Sequence, residues 1–342
     1  MDPSRPDRTH PMARPRTSRH AARRLFAAVG WLALAVLTWV VVSIVTGDTR
    51  VVQFTVLAQS LAPWIFLPVW VAAIVALIRR RWLPGGACLV LVVAQVLLVA
   101  PAIGSDRLPR WAGNAPTITV QSVNVWDQNP RPNRAAHELV ESKADVLVLV
   151  EVAGYMQRAL HRAGIDHRFP HQLQAVSSKT GTNDGIYSRI PLTHETLIHD
   201  ALNELPAATV TRGGRSLRIV AVHIDGPLHG RAQWQSELAR LRPVASRYRG
   251  PLAIVGDFNA TRWNPPFRDL LAVPLTDAHE SRGLGLTRSW PVRGTAFAAF
   301  GPLMRLDHAL TNRDAAATRV RDVEISGSDH VGFIVTVAMK RA

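Results

Sequence analysis

The sequence predicts an α/β domain behind three membrane-spanning helices, and three observations carry the prediction. Strand-forming apolar runs recur through residues 116–342, each leading into or enclosing a carboxylate, amide or imidazole. Segments of helical character lie between them, and three long uncharged apolar runs precede them all. In open α/β sheets, functional side chains gather where strands end.

The apolar runs are Leu25–Val45, of 21 residues, Val51–Ile78, of 28, and Leu83–Ile103, of 21. A bilayer core takes about 20 apolar residues per helix, so spans at about 25–45, 51–78 and 83–103 make residues 25–104 a membrane domain. Pro63 and Pro68 kink or tilt the second span, for which a re-entrant hairpin is the alternative. Pro84, Gly85 and Gly86 mark the opening turn of the third. A cleaved signal sequence fits poorly, because the first run is long for its apolar region and two more follow. Asp2 and Asp7 argue against a transit peptide.

Orientation follows from arginine. The tail Met1–Arg24 carries seven arginines and two aspartates, and Arg79–Arg81 fills the second loop, whereas Thr46–Arg50 alone separates the first two spans. Positive charge stays cytoplasmic. The expectation is a multi-pass plasma-membrane protein with the 1–24 tail and the second loop inside. Three crossings then place Ser105 onward outside.

Cys88, inside the third run, is the single cysteine, which excludes an intrachain disulfide framework. The part outside the membrane must rest on its own core, and roughly 230 residues suffice for one domain. Residues 105–115, with Pro109 and Gly113, read as a short linker to a domain over 116–342. The formal net charge of +15 suits a polyanionic substrate or an anionic membrane surface without choosing between them.

The elements of that domain follow in order. Thr117–Asn124 alternates as a strand and ends on an amide; Asp145–Glu151 is a buried-type strand ending on a carboxylate; Leu217–His223 ends on an imidazole. Leu252–Val255 leads into Gly256-Asp257-Phe258-Asn259, Arg305–Leu310 encloses Asp307, and Val320–Ile325 leads toward Ser328-Asp329-His330. Helices are expected at Arg134–Ser142, Gly154–Ala163 and Arg231–Tyr248, the last with Trp234, Leu238 and Leu241 as a core stripe. A carboxylate and an amide two residues apart, such as Asp257 and Asn259, point the same way on a strand. That pairing suits a hard cation and a phosphate. Any one of these groups alone reads as turn chemistry; six in succession do not.

The ordered series Asn124, Glu151, Asp184-Gly-Ile-Tyr-Ser-Arg189, His223, Gly256-Asp-Phe-Asn259, Leu306-Asp307-His308 and Ser328-Asp329-His330 resembles the endonuclease/exonuclease/phosphatase superfamily, over about Pro116 to Val337. The resemblance implies a four-layered α/β sandwich, two packed mixed sheets with helices outside, and a Mg²⁺-dependent phosphoesterase site at one rim, with Mn²⁺ able to substitute. Mg²⁺ takes oxygen ligands and keeps several waters. By resemblance Glu151 is its direct ligand, with Asn124 and Asp329 beside it. Asp257 then orients or deprotonates the attacking water, and Asn259 bonds that water or a phosphate oxygen. His330 contacts the phosphate while Asp307 holds its imidazole in one tautomer, and His223 donates from the opposite side.

Substrate stays open at this level, because specificity lives in loops grafted on the fold. Nucleic acid, a phospholipid head group and a small phosphate ester all fit. No inserted element interleaves aromatic and basic residues for base stacking, and Trp126, Trp234, Trp263 and Trp290 are scattered enough to read as core. No protein partner is implied. The reading from another class is a non-catalytic membrane receptor that keeps the fold as a phosphate-binding module; the retained Asp257, Asn259, Asp307 and His330 speak against it.

Overall fold

The computed structural model describes residues 17–47, 53–176, 181–200 and 203–341. Most of the basic tail and the end of the Thr46–Arg50 loop lie outside the described residues. Twelve strands are described, in chain order β1 (Thr117–Asn124), β2 (Val146–Val152), β3 (His171–Val176), β4 (Asn183–Ser188), β5 (Leu192–Asp200), β6 (Asn203–Arg212), β7 (Arg215–His223), β8 (Leu252–Asp257), β9 (Leu275–Asp277), β10 (Asp307–Asn312), β11 (Ala315–Glu324) and β12 (Val331–Met339). They form two six-stranded mixed sheets, ordered β11-β12-β1-β2-β4-β3 and β5-β6-β7-β8-β10-β9.

Period-two alternation turns the two sheets into four layers. Val146 and Val148 of β2 face the second sheet and meet Ala253 and Val255 of β8, while Leu147 and Leu149 face helices Pro132–Val140 and Gly154–Ala163. On β8 the other face, Leu252 and Ile254, packs on helix Arg231–Arg247 through Trp234, Leu238 and Leu241. Both faces of the central strands are apolar because both are covered. The expected four-layered α/β sandwich is therefore the architecture.

The site sits where the central strands of both sheets end together. β1 and β2 run parallel with Asn124 opposite Val150, and β7 and β8 run parallel with His223 opposite Asp257. Asp307 does not lie inside its strand as the apolar pattern suggested. It opens β10, whose antiparallel pairing places Asp307 opposite Asp257. His330 likewise immediately precedes β12, antiparallel to β1. An antiparallel strand brings its first residues to the edge where its parallel neighbours bring their last.

Gly256 lets β8 close on β7. Its φ is +148°, and a Cβ there would stand 1.9 Å from the Val222 carbonyl oxygen. Gly256→Ala is expected to destabilise the protein by more than about 2 kcal/mol. A melting temperature within a degree or two of the parent's, measured in detergent, would refute that.

The N-terminal part comprises α1 (Thr17–Thr46), α2 (Gln53–Ser60), α3 (Ala62–Ile65), α4 (Leu67–Ile78) and α5 (Trp82–Ile103). Two helices, over Ala21–Thr46 and Trp82–Ile103, are long and apolar enough to cross a membrane. The expected second span is not one continuous helix: Phe54–Ser60 and Ala62–Ile78 meet at a bend of 75°. Pro63 and Pro68 sit in the first turns of α3 and α4, where a missing N–H restarts a helix rather than continuing one.

The polar residues of α2 supply the second cause of the bend. Asn264 of the α/β part donates to the Val56 carbonyl at 3.2 Å, and Ser60 Oγ donates to Asn264 Oδ1 at 3.1 Å. Gln59 Nε2 donates to Ser43 Oγ at 3.1 Å. The far ends of α1 and α5 are bound to the same part. Arg268 donates to the Ile44 carbonyl, and the Gly285 N–H to that of Ala102 at 3.1 Å. The 22 residues of α5 extend about 33 Å, so the Arg79–Arg81 turn lies on the side away from the sheets. The 105–115 segment is held down, with Arg282 donating to the Asp106 carbonyl and Trp111 packed beside Ala316 and Ala338.

Candidate active site

Asn124 is locked by three hydrogen bonds. Its Oδ1 accepts the Trp126 N–H at 2.9 Å, and its Nδ2 donates to Glu151 Oε1 at 2.8 Å and, across the two sheets, to Asp257 Oδ2 at 3.1 Å. The last of these bonds joins the rims of the two sheets.

Glu151 takes φ +59° within the irregular stretch of the β2–β4 pairing. A left-handed glutamate is strained, and the strain turns its carboxylate off the strand. Asp184 Oδ1 accepts the Glu151 N–H at 3.0 Å, and Glu151 Oε2 accepts that of Asp127 at 3.1 Å. Trp126 and Asn259, also in the site, adopt positive φ as well.

Burial would raise the Glu151 carboxyl, but the bond and charge of His223, with the Asn124 amide, hold it down at about 2. His223 Nε2 stands 3.3 Å from Glu151 Oε1, and its Nδ1 3.4 Å from Asp184 Oδ1. Burial would neutralise that imidazole; the two carboxylates override it and raise its pKa well above the ordinary value.

Asp257 is fully enclosed. Its Oδ1 accepts the Asn259 N–H at 2.8 Å, and His330 Nε2 lies 3.7 Å from Oδ2. Desolvation, reinforced by Asp307 and opposed by His330 and His223, pushes its carboxyl up to about 6. Asn259 Nδ2 donates to the Ile224 carbonyl at 2.8 Å, and Trp234 Nε1 donates to the Asn259 carbonyl at 3.1 Å, so the core tryptophan of the long helix also sets this loop.

His330 Nδ1 donates to Asp307 Oδ2 at 2.8 Å. Burial opposes charge on both groups, but Asp307 and then Asp257 push His330 up to about 10, and His330 holds Asp307 low. The Ser289 hydroxyl accepts the Leu306 N–H at 2.9 Å, and Ser328 Oγ donates to the Asn124 carbonyl at 2.7 Å while accepting the His330 N–H at 2.9 Å. Asp329 Oδ2 accepts the Trp290 indole N–H at 3.2 Å; its Oδ1 is buried without a hydrogen bond.

All eight residues singled out from the sequence thus meet in one cleft region, yet they subdivide. Glu151, His223 and Asp257 form one tight group, and Asp257, Asp307 and His330 another. Asp329 stands outside both, with Oδ1 4.0 Å from His330 Nε2. The chemistry of the set fits a hard cation. Glu151 and the unpartnered Asp329 Oδ1 are carboxylate oxygens, and burial raises Asp329 as an unneutralised acid would be raised. Asn124 turns its N–H groups toward the acids, so ligation by its Oδ1 would use the lone pair that Trp126 leaves over.

Three contributors escaped the sequence reading. Asp184 was visible only as part of a motif, and its role beside His223 depends on β4 lying next to β2. Trp126 and Trp290 line the cleft and are half-buried, not core, although Trp234 and Trp263 are core as expected. The third is α2: Val56, Leu57 and Ser60 wall the cleft, whose volume is about 590 Å³. The signal for it was polarity, since Gln59 and Ser60 interrupt an otherwise apolar run.

A buried acid and imidazole cluster on the rim of this sandwich defines a hydrolase of phosphoric ester bonds. The description "Endonuclease/Exonuclease/phosphatase family" matches over residues 122–330, and the chain belongs to that family. Among solved structures it is similar to D. rerio TDP2 complexed with single strand DNA product, at 15% identity and a TM-score of 0.53 over 65% of this chain and 99% of that one. A family protein from Leptotrichia buccalis shares 13% identity at a TM-score of 0.51, over 65% of this chain and 100% of its own. Another, from Beutenbergia cavernae, shares 18% at 0.50, over 66% and 72%. At such identities the likeness is one of fold. No curated protein matches the chain.

Proposed function

We propose that the chain is a membrane-anchored phosphoesterase that uses a divalent metal, Mg²⁺ or in its place Mn²⁺, and hydrolyses a phosphodiester or phosphomonoester by attack of water. The observation that carries this reading is the placement of Asp257 between two charged imidazoles, His223 and His330, each held by its own carboxylates. Two imidazolium groups across one cleft make a site for a phosphate dianion or diester. A non-catalytic receptor has no use for an enclosed Asp257 beside Asp307, which only repels the anion it would bind.

In this reading Asp257, raised toward neutrality, takes the proton of the attacking water. Asn259 holds that water or a phosphoryl oxygen. His330, kept in one orientation by Asp307, donates to the phosphate, and His223 donates from the other side toward the leaving oxygen. Glu151, Asp329 and Asn124 would hold the metal, which supplies charge neutralisation on the phosphoryl oxygens. The catalytic domain spans 116–342, behind a membrane domain at 25–104 and the cytoplasmic tail 1–24. The arginine distribution supports an extracytoplasmic catalytic domain.

The test is turnover of a soluble chromogenic phosphodiester and of its monoester by the full-length protein in detergent. Activity is expected to vanish in EDTA and return with Mg²⁺ or Mn²⁺. Undiminished turnover in EDTA would overturn the metal, and no turnover of any ester in either metal would overturn the enzyme.

A further inference from the structure

We infer that the substrate is a lipid of the bilayer itself, a phosphate ester that enters the cleft from the membrane side with its apolar chain along the broken span. This rests on the phosphoesterase reading and names its substrate class. The cleft that holds His223, Asp257 and His330 has Val56, Leu57 and Ser60 of α2 as one wall. α2 is the near limb of the bent pair Phe54–Ser60 and Ala62–Ile78, which only together are long and apolar enough to cross a membrane. The apolar wall that Val56 and Leu57 give the cleft thus belongs to the same broken span.

The surroundings of the cleft have matching chemistry. Leu228, on the cleft, is 64% exposed, and Phe54, at the start of α2, is 78% exposed. The loop between Trp290 and Met304, both cleft residues, carries Phe297 and Phe300 at 57% and 77% exposure. That loop is fastened to the membrane helices, because Trp64 of α3 donates its indole N–H to the Leu303 carbonyl at 2.9 Å. The Arg288 guanidinium stacks 5.0 Å over the Trp64 ring. A tryptophan with a cation beside it at the end of an apolar helix is the arrangement of the membrane–water interface, and a guanidinium there suits a phosphate head group. Exposed phenylalanines on a loop tied to that level belong in lipid rather than water. Nucleic acid would need a cationic track as well as stacking faces; Trp126 and Trp290 offer faces, but among the described residues no arginine or lysine lines the cleft, whose approach carries Val56, Leu57, Leu228 and Met304.

The reaction balances as hydrolysis. A water oxygen bonds to phosphorus, the bond from phosphorus to the lipid alcohol oxygen breaks, and that oxygen leaves carrying a proton from His223 while Asp257 holds the proton of the water. The lipid alcohol stays in the bilayer, and the phosphorylated head group goes to water.

The test uses the full-length chain reconstituted in vesicles of dioleoyl phosphatidylcholine, phosphatidylethanolamine and phosphatidylglycerol in equal parts, with Mg²⁺. The soluble dibutanoyl forms of the same lipids and a single-stranded oligonucleotide are assayed alongside. Release of head-group phosphate is expected with kcat/KM at least about tenfold higher for the long-chain than for the short-chain esters. Leu57→Asn and, on the exposed rim where folding is not at stake, Leu228→Asn are each expected to lower that ratio by about tenfold. Three results would overturn the inference while leaving a phosphoesterase in place: a ratio near one, a ratio unmoved in both variants, or an oligonucleotide turned over faster than every lipid. Failure to hydrolyse the soluble chromogenic esters as well would overturn the phosphoesterase reading instead.

Discussion

Asp257→Asn is expected to lower kcat by a factor of about 100 or more while leaving the melting temperature at or above the parental value. The amide keeps the shape of the carboxylate and one acceptor for the Asn259 N–H or the Asn124 amide. It cannot take a proton from water. Because desolvation of the enclosed Asp257 carboxylate, reinforced by Asp307, outweighs the attraction of His330 and His223, removing its charge relieves the fold, the usual relation between an active-site acid and stability. His330→Ala is expected to lose as much activity and in addition to destabilise by about 3 kcal/mol, since Asp307 would be left buried without its imidazole. In the double variant with Asp307→Asn, the activity losses are expected to fall well short of adding, as for residues that act as one unit. Near-parental kcat in purified Asp257→Asn would remove Asp257 from the mechanism.

The second large effect is all-or-none and concerns topology. A reporter active only outside the cytoplasm is expected to be on when fused after Ala342 and off when fused within the Arg79–Arg81 turn. The bend in the second apolar run raises the question of whether Ala62–Ile78 crosses or returns. α5 favours a crossing: its end at Ala102 is bonded to the α/β part, and its start lies about 33 Å away. Only three residues separate the end of α4 from that start, so α4 ends on the same far side. Together with the arginines of the turn and the tail, this is the basis for expecting the far side in the cytoplasm. A silent C-terminal fusion with an active one at the turn would reverse the orientation and with it the leaflet from which a lipid could be drawn.

Much of the catalytic part was legible because its elements are specified locally. β1 has the predicted ends, and helix Gly154–Ala163 does too, since period-two and period-3.6 burial leave their mark on the residues themselves. Asn124, Glu151, His223 and Asp257 were found at strand ends because apolar runs stop abruptly there. Asp184 was not assigned, since its meeting with His223 requires β4 to pair with β2 and the two sheets to stack. The apolar run 51–78 was read as one span, since hydropathy counts residues and does not see a partner 204 residues away, as Asn264 is from Ser60.

The sequence by itself determined the class of fold, the eight polar groups and the existence of an apolar N-terminal region, all of which depend on composition and spacing within short windows. Only the tertiary structure decided that Asn124 bridges both sheets, that His223 and His330 flank Asp257 with separate carboxylates, and that α2 leaves the apolar run to wall the cleft. The physical reason is common to all three: each is a contact between segments far apart in the chain, fixed by sheet stacking and buried hydrogen bonds whose partners no local pattern encodes.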